Sequence, residues 1–335
     1  MKKLKKRYIL LVGLSLLFAG YAFGPMPDKP QLNTNLPEVS KDFAQLEQNI
    51  TAQEKIHPSL KPDNQARIIW ADTLKRKTKY ALVYIHGYSA SQGEGEPLHR
   101  NFAKRYGCNL FLPRMADHGL DTTDNFINLT PERLLAHAKQ AISIGKQLGD
   151  SVIVMGTSNG GAMALYLATE HPELKGLILY SPLIEFFDKS SVVLDKPWGL
   201  QIARQVTGGE NRVWEKSTPD EKKYWTTKYR LEGLIYLKSM ISQFSDEKNF
   251  KKVKSPLFLG YYFKDEENQD KTVSVPAMLE MFDQVGTLAT MKRKVNFPEA
   301  SNHVICSQYT SKEWQKVQQE TFKFAEEILK LKPVE

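Results

Sequence analysis

One serine is framed by glycines, in Gly156-Thr157-Ser158-Asn159-Gly160-Gly161, between an apolar run at residues 151–155 and a helix-periodic segment beginning at 159. The run reads as a buried strand and the segment after it as a helix. A residue on so tight a strand-to-helix turn is forced into strained backbone, and glycine two places before and after it removes Cβ atoms that would collide there. Such a turn lifts the Ser158 hydroxyl to a helix N-terminus, where amide N–H groups and the macrodipole favour developing negative charge. The chemistry this suits is nucleophilic attack on a carbonyl.

A serine hydroxyl is a poor nucleophile at neutral pH, so that chemistry requires a base and an acid to orient it. His303 is the candidate base, because it ends the turn Pro298-Glu299-Ala300-Ser301-Asn302-His303 between a strand and the last helix. The acid comes from the run Lys264-Asp265-Glu266-Glu267-Asn268-Gln269-Asp270. Asp270, just ahead of Lys271-Thr272-Val273, is the preferred residue, with Asp265 as the alternative. Two backbone donors for an oxyanion are expected at Tyr88, after Gly87, and at Asn159, after the serine. His86 reads as a residue that holds the first of these turns.

The elements that must position these groups follow from hydrophobic period. Near-continuous apolar runs at 67–70, 80–85, 109–112, 151–155, 176–180, 256–259 and 294–297 are expected strands, covered on both faces. Helical patterns at 95–106, 130–148, 159–171, 274–286 and 311–331 alternate with them. Thr130 and Pro131 make a helix start, as N-cap and first helical residue. This alternation predicts an α/β fold with a mostly parallel sheet between helices. Residues 183–250 break the rhythm with many charges, scattered aromatics and no strand-like run, and are expected to form a helical insertion.

With these residues in place the chain resembles the α/β-hydrolase superfamily, and within it the carboxylesterase and monoacylglycerol-lipase-like serine hydrolases. The resemblance spans about residues 67–331. It rests on His86-Gly87, Leu112-Pro113-Arg114 with His118-Gly119, Gly156-Thr157-Ser158-Asn159-Gly160, Asp270-Lys271-Thr272-Val273 and Asn302-His303, in the order Ser, Asp, His. It implies an α/β-hydrolase fold with a cap at about 183–250 over the pocket, and hydrolysis of a carboxylic ester through an acyl-enzyme on Ser158. Asn159 stands where that family often carries Met, Gln, His or Leu, so fine substrate preference does not carry across. A serine peptidase or amidase, an acyltransferase, and a non-catalytic binding homologue are the alternatives. An aspartate nucleophile, as in dehalogenases and epoxide hydrolases, is argued against by Ser158.

Composition narrows the partners. The chain has 335 residues, 41% of them hydrophobic, enough for a packed core. Of its net charge of +8, Lys2, Lys3, Lys5, Lys6 and Arg7 supply five positives, so the remainder is mildly basic and nucleic acid is not an expected partner. Those charges precede an uncharged run at 8–27, the pattern of a signal peptide or anchor. A membrane contact through residues 8–24 is therefore expected, with the domain outside the cytoplasm, or secretion if the segment is cleaved. The layout is 1–27 as that segment, 28–66 as a linker or arm, and 67–335 as the domain. The partner expected in the pocket is a small-molecule ester; aromatics in the insertion point to an apolar acyl or aryl group. The two cysteines, Cys108 and Cys306, read as buried thiols. No cofactor or metal is expected. Gly208-Gly209 lacks the Lys-Ser/Thr of a phosphate loop, and His118, His137 and His171 are scattered.

Overall fold

The computed structural model describes residues 2–215 and 217–334. Its strands are β1 (Arg67–Ile69), β2 (Thr78–Ile85), β3 (Asn109–Leu112), β4 (Gly149–Thr157), β5 (Gly176–Tyr180), β6 (Asn211–Val213), β7 (Lys228–Arg230), β8 (Leu257–Tyr261) and β9 (Lys292–Asn296). Its helices are α1 (Lys2–Ala22), α2 (Phe43–Lys55), α3 (Leu98–Tyr106), α4 (Pro131–Leu148), α5 (Asn159–Leu167) and α6 (Gly199–Thr207). They continue as α7 (Pro219–Tyr224), α8 (Leu231–Phe244), α9 (Glu247–Phe250), α10 (Val275–Gln284) and α11 (Trp314–Glu327).

Seven strands form one sheet in the order β1-β3-β2-β4-β5-β8-β9. All neighbours are parallel except β1, which pairs antiparallel to β3 at the edge. The apolar runs are buried on both faces because side chains alternate across a strand. Val83, Ile85, Val154 and Leu179 belong to the core that includes α4 and α5 residues. Leu82, Tyr84, Met155 and Ile178 belong to the opposite core, with residues of α3 and α11. Thr130 Oγ1 accepts from the Arg133 N–H at 3.3 Å and Pro131 opens α4, the start expected from those residue types.

The sheet order creates the place for a site. β3 lies on one side of β2 and β4 on the other, so the chain reverses its travel across the sheet there, and a crevice opens at the carboxyl ends of those strands. Ile85 at the end of β2 is in register with Gly156 near the end of β4, which sets the two following turns side by side. Because β8 and β9 are parallel to their neighbours, the loops after them leave from the same edge.

One expectation is corrected, that of a wholly helical insertion. The arm at 28–66 carries a helix of its own. Asp42 caps α2 by accepting from the Gln45 N–H at 2.7 Å, and Leu46 and Ile50, one helical turn apart, are buried against the domain. Each such side chain contributes roughly 2 kcal/mol through burial. The insertion is not purely helical: β6 and β7 form an antiparallel ribbon, too short at three residues each for alternation to show in the sequence. Finally, among the described residues no helix is long and apolar enough to cross a membrane. Helix α1 ends at Ala22, so its uncharged part is residues 8–22. At 1.5 Å per residue that reaches roughly 22 Å, against about 30 Å of hydrocarbon. The expected anchor through residues 8–24 has no support here. The last turn of α1 and the chain just after it meet the insertion, where the Trp198 N–H donates to the Pro25 carbonyl at 2.8 Å and its Nε1–H to that of Gly20 at 3.0 Å.

Candidate active site

Ser158 sits between β4 and α5 with φ 53° and ψ −120°, a left-handed backbone that L-residues seldom adopt. The turn is held by the Ser158 N–H, which donates to the Tyr180 carbonyl at 2.9 Å. The flanking glycines are sterically required. A Cβ on Gly160 would stand 2.0 Å from the Ile85 oxygen and 2.6 Å from that of His86, and one on Gly156 would stand 2.7 Å from the Gly161 nitrogen. These are backbone atoms of the central sheet and its turns, which cannot step aside. Gly160→Ala is therefore expected to cost about 3 kcal/mol or more, the upper range for overpacking, read from the urea midpoint. An unshifted midpoint would contradict the close approach of α5 to β2.

The loops after β8 and β9 bring Asp270 and His303 together. His303 Nδ1 lies 2.6 Å from Asp270 Oδ2, and Asp270 is 1% exposed. The other carboxylate oxygen accepts from the Thr272 N–H at 2.8 Å and the Val273 N–H at 3.1 Å. Burial by itself pushes the His303 imidazole down, but the charge and hydrogen bond of Asp270, with help from Glu94, leave it above its ordinary value. Asp265 faces solvent, where it closes a turn by accepting from the N–H groups of Glu267 and Asn268 at 3.0 and 2.7 Å. It does not meet His303. The Nε2 of His303 is buried and makes no hydrogen bond, so none joins it to the Ser158 hydroxyl.

Ser158 and His303 nevertheless line one cavity of about 380 Å³. The insertion contributes Trp214, Trp225, Tyr229 and Leu237 to its wall, and Leu183 and Phe186 follow β5. Tyr88 lines it from the turn after β2. Its ring packs against those of His118, Phe126 and Tyr229 at centroid distances of 5.6, 5.0 and 5.5 Å. Its hydroxyl fits only because residue 233 is glycine, where a Cβ would stand 2.2 Å from that oxygen. Among the described residues neither the Tyr88 N–H nor the Asn159 N–H donates to a protein acceptor. Both amides are thus available at the end of the sheet that carries Ser158.

His86 is fully buried and holds the turn. Its Nε2 accepts from the Met115 N–H at 3.1 Å, which leaves the proton on Nδ1, donated to the Gly87 carbonyl at 2.9 Å. Burial first, then the nearby Arg114 charge, push it down to about 4, so it is neutral at pH 7. Cys108 and Cys306 are free and buried. Among the described residues no group of three His, Cys, Asp or Glu side chains is placed to hold a metal ion.

Sequence reasoning missed Glu94. Although 1% exposed, it lines the same cavity, and its Oε2 accepts from the Gly87 N–H at 2.7 Å and the Tyr84 hydroxyl at 2.9 Å. Burial pushes its carboxyl up to about 7, against the opposing pull of those hydrogen bonds and of His303. In Gln92-Gly93-Glu94-Gly95 it reads as one more polar loop residue, and no local pattern marks a carboxylate that will be dry.

No protein-family model matches the chain. A thermostable monoacylglycerol lipase from Bacillus sp. (strain H-257) is 25% identical over 162 residues, covering 48% of this chain. The match spans 62% of the length of that curated relative. Among solved structures, that of the metagenome-derived lipolytic enzymes LipS and LipT superposes with a TM-score of 0.64 at 16% identity, covering 79% of this chain and 98% of the other. A monoacylglycerol lipase from Paleococcus ferrophilus superposes at 0.57 with 14% identity, covering 77% and 96%. Est1E from Butyrivibrio proteoclasticus with bound ferulic acid superposes at 0.53 with 18% identity, covering 79% and 95%.

Proposed function

We propose that this chain, an α/β-hydrolase in fold, hydrolyses carboxylic esters through an acyl-enzyme on Ser158, with His303 as base and Asp270 as its partner. The observation that carries this reading is the 2.6 Å pair between His303 and Asp270 at the cavity that Ser158 also lines. Relatives named lipase and esterase support ester hydrolysis.

The chemistry follows from the roles of these groups. Ser158 Oγ attacks the ester carbonyl while its proton passes to His303 Nε2, and Asp270 stabilises the imidazolium across Nδ1. Negative charge on the former carbonyl oxygen is met by the N–H groups of Tyr88 and Asn159. The intermediate collapses, the alcohol leaves with the proton from Nε2, and Ser158 keeps the acyl group. A water that gives its proton to His303 then releases the acid. Catalytic hydrogen bonds are often long before substrate arrives and tighten in the reacting complex. Here the closing of Ser158 Oγ onto Nε2 is the contact that binding completes.

About half of the cavity lining is aromatic or aliphatic, including Leu183, Phe186, Trp214, Trp225 and Leu237, and this side suits an apolar acyl group. At about 380 Å³ the cavity is at the small end of small-molecule sites. A series of p-nitrophenyl esters from acetate to palmitate is therefore expected to give the highest kcat/KM for acyl chains of about six to ten carbons. No hydrolysis of any member by folded protein would remove the esterase reading in favour of amide cleavage or acyl transfer.

A further inference from the structure

Glu94 takes no part in the steps above, yet it shares their cavity. A Cβ placed on Gly87 would stand 2.8 Å from Glu94 Oε1 and 3.2 Å from Ser158 Cβ, so the carboxylate and the nucleophile flank the same glycine. The amide that Glu94 holds, that of Gly87, is one residue before the Tyr88 N–H offered to the oxyanion. Holding the Gly87 N–H fixes the peptide plane from which the next one, carrying the Tyr88 N–H, starts.

We propose that Glu94 is a positioning residue of the ester-cleaving site: its Oε2 pins the Gly87 amide and thereby the oxyanion turn, while its charge acts on His303 across the cavity that the two residues share. The proposal rests on the assignment of Ser158 and His303 made above. It makes Glu94 serve two ends that pull against each other. Its hydrogen bond organises the donor, whereas its charge, when present, opposes the oxyanion and favours the imidazolium.

The groups around Glu94 isolate this effect. Tyr84, from β2, is held well above its usual range by burial, and Cys306, from the loop after His303, is pushed up to about 12 in the same way. His99, from α3, is pushed down to about 3 by burial and is neutral. Tyr224, from α7, packs on Gly93 and is held as the phenol, by burial first and then by Asp63. Besides Glu94 and His303, the charged side chains of Glu221 and Lys271 line the same cavity. The Glu94 charge helps to raise the His303 imidazole, and His303 in turn pulls the Glu94 carboxyl down.

The test uses the full chain and two variants. Glu94→Gln keeps an oxygen that accepts from Gly87 and Tyr84 but removes the charge; Glu94→Ala removes both. Glu94→Ala is expected to lower kcat about tenfold to a hundredfold with little change in KM, short of the 10²–10³ seen when an oxyanion donor is lost outright. Glu94→Gln is expected to recover most of that loss and to move the acid limb of kcat/KM to lower pH by about one unit. Titration of the His303 imidazole by NMR should show the same displacement without relying on turnover. Wild-type kcat in Glu94→Ala, or an unmoved His303 titration in Glu94→Gln, overturns the proposal. Fluorophosphonate labelling separates the two failures: a wild type labelled at Ser158 with indifferent Glu94 variants discards only the role of Glu94, and an unlabelled, folded wild type discards both.

Discussion

Ser158→Ala is expected to abolish fluorophosphonate labelling and to lower kcat on the best p-nitrophenyl ester by about 10⁴ to 10⁶, the range for loss of a triad nucleophile. The residue is 7% exposed and its φ is 53°, a strain that alanine bears as serine does, so the variant should fold with nearly unchanged stability. Ser158→Gly adopts that backbone without strain and serves as a second variant. Both should retain a trace of turnover from the Tyr88 and Asn159 amides and from binding. Labelled Ser158→Ala protein, or a kcat within tenfold of wild type, would move the nucleophile elsewhere.

Asp270→Asn tests the partner of the base. The asparagine oxygen can keep the N–H groups of Thr272 and Val273, which leaves an amide NH₂ toward His303. That amide cannot accept from Nδ1–H, so the ring is driven to carry its proton on Nε2, where it cannot receive one from Ser158. A loss of about 10⁴ in kcat is expected, with the loop intact. The acid limb should also fall to lower pH, because the burial that pushes His303 down is no longer outweighed by a facing carboxylate. The sign for stability follows. A histidine raised above its unfolded value contributes fully below about pH 6.5, and the contribution fades as pH rises through the folded value. The stability gap between wild type and Asp270→Asn should therefore be widest in acid and close above neutrality, a trend that chemical denaturation at several pH values would reveal. Asp265→Asn is the control. Its side chain points to solvent and closes only its own turn, so a large loss of kcat there would transfer the acid to that position.

Much of this fold could be read from the residues alone, because side-chain period is a property of a single element. The runs that become β2, β4 and β5 are apolar along their length since they are covered on both faces, and Thr130-Pro131 marks the start of α4 without reference to anything distant. The turn around Ser158 is local only in part: Gly156 is needed by the Gly160–Gly161 backbone just beyond it, whereas Gly160 is needed by the distant end of β2. Where the signal was thin, the reading fell short. Two buried side chains in α2, and strands of three residues in β6 and β7, are too little pattern to stand out from polar surroundings. The uncharged run at 8–27 reads as a signal peptide or anchor, and among the described residues no helix is long and apolar enough to cross a membrane.

The rest was decided by tertiary structure. Asp265 and Asp270 stand in one acidic stretch, and only the path of the loop after β8 turns one inward to His303 and leaves the other in water. Glu94 is a stronger case, since a carboxylate between glycines gives no sign that Tyr84, Gly87 and the insertion will close around it. Pairings of this kind depend on where separate segments cross in space, and no local period records that crossing.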